Sequence, residues 1–174
     1  MSEPESTQTG SAMREALERR DLDALMDTFA PDATLRSPIT SSFRFVGREQ
    51  LRPLYEGVFQ VISDFRVTQE ITGADDCRVL LISGEVGGVE FEEVQLLRLN
   101  DQGLVREITL FFRPLPALPA LAQGITRTLI AKRSRPRSLL LRFLAAPLVA
   151  ITRIGDRIAA RVIGGITGLS TPSR

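Results

Sequence analysis

Hydrophobic positions along the chain change period once, and that change divides it. From Ser11 to Phe29 the apolar residues Met13, Leu17, Leu25, Met26 and Phe29 recur at helical spacing. The polar run RRDLDAL interrupts them, and Asp21 stands where it can cap a second short helix. PDATLRSP reads as a short strand between prolines. In VGREQLRPLYEGVFQVI, residues Leu51, Leu54, Tyr55, Val58, Phe59 and Ile62 fall at i, i+3, i+4, i+7, i+8 and i+11, which is one apolar helix face. Pro53 lies inside this run and should delay the helix start or kink it.

From Asp64 the period becomes two. FRVTQEI, RVLLISGEV, VEFEEVQLLRL and LVREITLFF read as four strands separated by GADD, GG and NDQG. Turns this short require antiparallel pairing. Helices followed by a meander predict an α+β fold in which helices cover one face of a curved antiparallel sheet.

A third pattern follows Phe112. Pro114, Pro116 and Pro119 should end the last strand and begin a linker. Beyond it, Arg153, Arg157 and Arg161 are spaced by four, and Arg142 precedes Arg153 by close to three whole turns, so the four share one helical stripe. Leu140, Leu144, Leu148, Ile151, Ile158 and Val162 lie opposite. The ten nearly all-apolar residues between Arg142 and Arg153 are half of what a bilayer-spanning helix needs. Residues 1–10 read as a mobile polar leader and not a signal peptide, 11–114 as the folded domain, and 115–174 as a proline-rich linker with basic amphipathic helices.

Charge sharpens this division. The net charge of +1 averages 12 basic against 20 acidic residues in 1–124 and 10 basic against Asp156 alone in 125–174. Such a tail suits an anionic membrane surface, or packing on its own acidic domain or a second subunit. Nothing aromatic interleaves with AKRSRPR, which argues against nucleic acid. A single cysteine, Cys77, excludes an intramolecular disulfide and favours a cytoplasmic protein, peripheral at most at the inner membrane face. The absence of histidine removes His-based triads and His metal ligands, and no phosphate-binding glycine loop follows a strand. No cofactor or metal is expected.

LERRDLDALMDTFAPDATLRSP, FVGREQLRPLYEGVF, DFRV and LRLNDQGLVREITLFFRP resemble, in this order and at these separations, the SnoaL-like domains of the nuclear transport factor two superfamily. The resemblance covers roughly residues 12–114. It implies a cone, a curved sheet wrapped around helices that encloses an apolar cavity, often in a dimer. Relatives include polyketide cyclases, ketosteroid isomerases and epoxide hydrolases. In cyclase-like members a polar residue, frequently Asp, ends the last strand on the cavity side, where this chain has Arg113.

Matching to the family places Val105, Glu107, Thr109, Phe111 and Arg113 toward the cavity, with Glu93 and Gln95 from the preceding strand. Periodicity alone favours the more apolar alternate set, Leu104, Arg106, Ile108, Leu110 and Phe112. The ligand-binding candidates are therefore Tyr55, Phe59, Glu93, Gln95, Thr109, Phe111 and Arg113, a few polar groups in an apolar cup. Glu93 and Tyr55 are the candidates for catalysis, as base and oxyanion donor, and Arg113 is a candidate partner for the Glu93 carboxylate. The expected role is binding of a small hydrophobic ligand. The alternative is a cofactor-free cyclase, isomerase or hydratase using the pocket carboxylate.

Overall fold

A computed structural model describes residues 5–39, 44–73 and 76–131, with side chains between Gly10 and Arg127. The basic stripe of Arg142, Arg153, Arg157 and Arg161 lies outside the described residues. The order of elements is α1 (Glu5–Arg19), α2 (Leu22–Asp27), β1 (Phe29–Arg36), β2 (Arg44–Val46), α3 (Arg48–Val61), β3 (Ile62–Thr72), β4 (Cys77–Val86), β5 (Val89–Leu99), β6 (Val105–Arg113) and α4 (Ala117–Ala131).

The α+β class is as the sequence predicts. Met13, Ala16 and Leu17 of α1, Leu25 and Met26 of α2, and Leu51, Leu54 and Tyr55 of α3 are buried on the expected helix faces. Asp21 caps α2, its Oδ1 accepting from the Ala24 amide at 3.0 Å. The helix α3 runs through Pro53 without a delayed start. Of the residues 1–10 expected as a leader, Glu5 onward lie in α1 and Gly10 is buried.

The hinge between α1 and α2 has a signal too weak to read in advance. Arg20 takes a left-handed φ of 55°, and the amides of Arg20 and Asp21 return to the carbonyls of Leu17 and Ala16 at 3.2 and 2.9 Å. That closes the last turn of α1 in the manner of a Schellman cap, usually a glycine position. Arg20 offsets the strain with its side chain, which donates to the Phe59 and Ile62 carbonyls at 2.8 and 2.9 Å and so satisfies the end of α3.

Six strands form one curved, unclosed sheet in the order β2-β1-β6-β5-β4-β3. Strands β3 to β6 are the expected antiparallel meander. The addition is β1, which runs parallel to β6 and antiparallel to the short β2, making the sheet mixed. Side chains of Leu80, Ile82, Phe91, Leu97 and Ile108 point inward and meet the helices in one core.

Two corrections concern the end of the domain. The last strand reaches Arg113 instead of Phe112. The prolines then start a helix where a linker was expected, because Pro114 and Pro116 precede α4 and Pro119 occupies its first turn, where a missing N–H costs no helical bond. Ala117, Ala120 and Leu121 of this helix are buried in the common core, so packed chain continues past the boundary expected at residue 114. Among the described residues no helix is long and apolar enough to cross a membrane.

Candidate functional site

Where α3, α4 and the inner face of the sheet meet, they leave a cavity of about 310 Å³. This is at the small end of the range for ligand sites. Its walls are apolar. Leu54, Tyr55 and Val58 come from α3, Ile62 and Phe65 from β3, Leu110 and Phe112 from β6, and Leu121, Ala122 and Ile125 from α4. Ser37, Pro38 and Ile39 stand at the end of β1, and Ile39 is 53% exposed, which marks the mouth. The helix α4 can lie this close to α3 because Gly124 faces Val61: a Cβ there would stand 2.9 Å from the Val61 side chain.

Three polar side chains share the floor. Alternation along β5 turns Phe91, Glu93, Gln95, Leu97 and Leu99 inward and leaves Glu90, Glu92 and Arg98 exposed. Glu93 is 6% exposed and Gln95 3% exposed, and Gln95 Nε2 donates to Glu93 Oε1 at 2.9 Å. From α3, Tyr55 lines the same space at 3% exposure, its ring tilted against Phe29 and Phe59 at centroid distances of 5.7 and 6.4 Å. The Tyr55 hydroxyl and Gln95 Oε1 are buried and have no hydrogen-bond partner among the described residues. Buried polar atoms are seldom left so, and a ligand is one thing that satisfies them.

Burial decides the electrostatics. Loss of water pushes the Glu93 carboxyl up to about 7, with the Gln95 hydrogen bond working the other way. Burial, with the Glu93 charge beside it, holds the Tyr55 phenol far above its ordinary range. Among the described residues no Lys or Arg lines the cavity. A carboxyl poised near neutrality can hold or release a proton at ordinary pH, and a hydroxyl across from it can donate to an oxygen of a bound molecule.

The structure brings together Tyr55, Glu93 and Gln95 of the candidates read from sequence. Phe59 is half-buried behind Tyr55 and does not line the cavity. Thr109, Phe111 and Arg113 lie on the opposite, outward face of β6, and this corrects the family-based assignment. The reason is a bulge. Leu99 pairs with Val105 and Arg98 with Glu107, so Arg106 is an extra residue on β6 and the inward set changes parity. Val105 is inward before the bulge; Ile108, Leu110 and Phe112 are inward after it. Phe111 is 55% exposed. Arg113 is not the partner of Glu93. Its Nε lies 2.9 Å from Glu92 Oε2, in a charged outward groove with Arg66, Glu85 and Glu90.

Phe45, Phe65, Leu110, Phe112 and the α4 residues were not among the candidates. Leu110 and Phe112 carried a signal, because they belong to the more apolar alternate set. Leu121 and Ile125, spaced by four, carried another.

A family profile for the SnoaL-like domain matches residues 11–108. Among solved structures, a steroid delta-isomerase from Pseudomonas aeruginosa shares 27% identity at a TM-score of 0.70, over 76% of this chain and 97% of that one. A protein with a cystatin-like fold from Silicibacter pomeroyi shares 24% over 79% and 93%, with a TM-score of 0.63. A putative ketosteroid isomerase from Kribbella flavida shares 19% over 63% and 78%, with a TM-score of 0.54. No curated protein matches the chain. With six strands in the cone arrangement and a profile match over more than half its length, the chain belongs to the SnoaL-like domain family.

Proposed function

We propose that the cone binds a small hydrophobic molecule, with its polar end on Glu93, Gln95 and Tyr55 and its apolar body against the phenylalanine and α4 walls. The observation that carries this reading is the pair of unsatisfied buried atoms, the Tyr55 hydroxyl and Gln95 Oε1, at the floor of an apolar cavity. Native mass spectrometry of the full chain against a panel of small ring compounds tests it. Retention of a ring compound by the wild type and its loss in Ala122→Trp, which fills the cavity, is the expected result. Equal retention by both proteins removes the pocket from consideration.

A second reading is favoured by the Glu93 carboxyl near 7 and by the 27% identity to the steroid delta-isomerase. In it, Glu93 takes a proton from a carbon beside a ketone, Tyr55 donates to the enolate oxygen, and Glu93 returns the proton to another carbon. The proton is conserved and no redox partner is needed. Turnover of a β,γ-unsaturated ketosteroid, lost in Glu93→Gln, supports it; tight binding without turnover in the wild type leaves the binding role alone.

The charge balance supports a further role for the basic segment of Arg142, Arg153, Arg157 and Arg161 at an anionic membrane, with packing on the acidic domain of its own or a second subunit as the competing role. Salt-sensitive co-sedimentation with anionic vesicles, abolished by truncation after Ala131, is the expected result. Full-length protein that stays in the supernatant sinks the membrane role.

A further inference from the structure

We propose that the ligand of the cone is a cation: a small amine whose hydrocarbon part fills the cavity and whose ammonium group sits between Glu93, Gln95 and Tyr55. This deepens the binding role proposed above and rests on it.

Gln95 spends its amide N–H₂ on Glu93, which leaves Oε1, a buried acceptor, without a partner among the described residues. Glu93, when ionised, only accepts, and the Tyr55 hydroxyl has an oxygen that accepts as well as a proton to give. The floor is thus rich in acceptors and carries one ionisable carboxyl. An ammonium brings several N–H donors and a positive charge, and it answers both deficits together. A ketone accepts from Tyr55 but leaves Gln95 Oε1 bare and the carboxylate uncompensated. A carboxylate ligand would face Glu93 with no cation on the walls.

The walls agree with this. Phe45, Phe65, Phe112 and Tyr55 surround the space, and aromatic faces tolerate a cation where aliphatic walls do not. The β1 and β2 side presents Leu35, Ile39 and Phe45, none of them charged. Tyr55 is the titratable neighbour from α3. The β3 and β6 wall residues are Ile62, Phe65, Leu110 and Phe112, and α4 presents Leu121, Ala122, Ile125 and Thr126. On β4, Ile82 lies directly across from Glu93. Arg78 is the other buried charged side chain among the described residues, but it pairs in register with Leu97 and does not line the cavity. Among the described residues, therefore, no protein cation on these walls takes the place of the ligand's charge.

Benzylamine, benzyl alcohol and benzoate, of nearly one shape, test the inference by calorimetry on the full chain. The ionised fraction of Glu93 rises about tenfold between about pH 6 and about pH 8, around its pKa of about 7, so benzylamine affinity should rise by about the same factor while benzyl alcohol affinity stays level. Above the transition benzylamine should bind at least about tenfold tighter than benzyl alcohol, with benzoate weakest. In Glu93→Gln the amine should bind no better than the alcohol and lose its pH step, and continued alcohol binding shows that the pocket is intact. Benzylamine no tighter than benzyl alcohol above the transition, or unchanged in Glu93→Gln, overturns the cation proposal alone. If none of the three binds at either pH, the pocket reading fails with it.

Discussion

Replacing Glu93 with Gln should make the protein more stable at neutral pH and erase a pH dependence that the wild type carries. The carboxyl is 6% exposed, has no cation beside it among the described residues, and is pushed from an ordinary 4.5 up to about 7. Below 4.5 both folded and unfolded chains hold the proton, and Glu93 contributes nothing to the pH dependence. Between 4.5 and about 7 the unfolded chain has lost it and the folded chain keeps it, so stability falls as pH rises through this window. Above about 7 the folded chain must ionise a buried carboxyl and the full penalty is in place, at most about 3 kcal/mol. This sign is opposite to that of a carboxylate held in an ion pair.

Gln is isosteric and can keep a hydrogen bond to Gln95 with no charge to bury. Urea unfolding of both proteins at intervals from about pH 5 to about pH 8 measures the effect as a difference, in which the ion pairs common to both cancel. The difference should be small at the acidic end and grow to between about 2 and about 3 kcal/mol in favour of Glu93→Gln at the alkaline end. If the two stability curves run parallel over this range, the carboxyl is not desolvated and the description of the cavity floor is wrong.

Other substitutions probe the remaining parts. Tyr55→Phe removes a hydroxyl that has no partner among the described residues, so stability should hold or rise by up to about 1 kcal/mol while ligand affinity falls, as thermal unfolding and calorimetry would show. Ending the chain after Arg113 strips Ala117, Ala120 and Leu121 from the core, a loss of about 3 to 4 kcal/mol of burial; a chain ending at Ala131 should unfold at a clearly higher urea midpoint, and equal midpoints would remove α4 from the domain. Arg113→Ala breaks an ion pair whose side chains are 80% and 64% exposed, so stability should move by no more than about 0.5 kcal/mol and ligand affinity not at all. A large loss of affinity would return Arg113 to the site.

The parts of this fold that could be read in the sequence are those in which one short-range rule acts without interruption. Leu51, Leu54 and Tyr55 fall on one face because an α-helix repeats every 3.6 residues, and nothing in Arg48–Val61 disturbs that repeat, Pro53 included. Glu93 and Gln95 were legible for the same kind of reason: β5 alternates without a fault from Val89 to Leu99, so two polar side chains on an otherwise apolar inner face stand out. On β6 the rule fails at a single residue. Arg106 bulges, and every side chain after it changes face, so the family matching that set Val105 inside with strict alternation put Phe111 and Arg113 inside too. The error at α4 has a different origin. Pro119 blocks a helix interior but not a first turn, and only the position of the helix start, set by packing against α3 through Gly124, decides which of these it is. Both misreadings bear on the chemistry in one direction. They had supplied Glu93 with Arg113 as a cation and put a linker where α4 stands. With Arg113 outside and α4 in place, the carboxyl is buried with no countercharge among the described residues, and the ligand preference proposed above follows from that pairing.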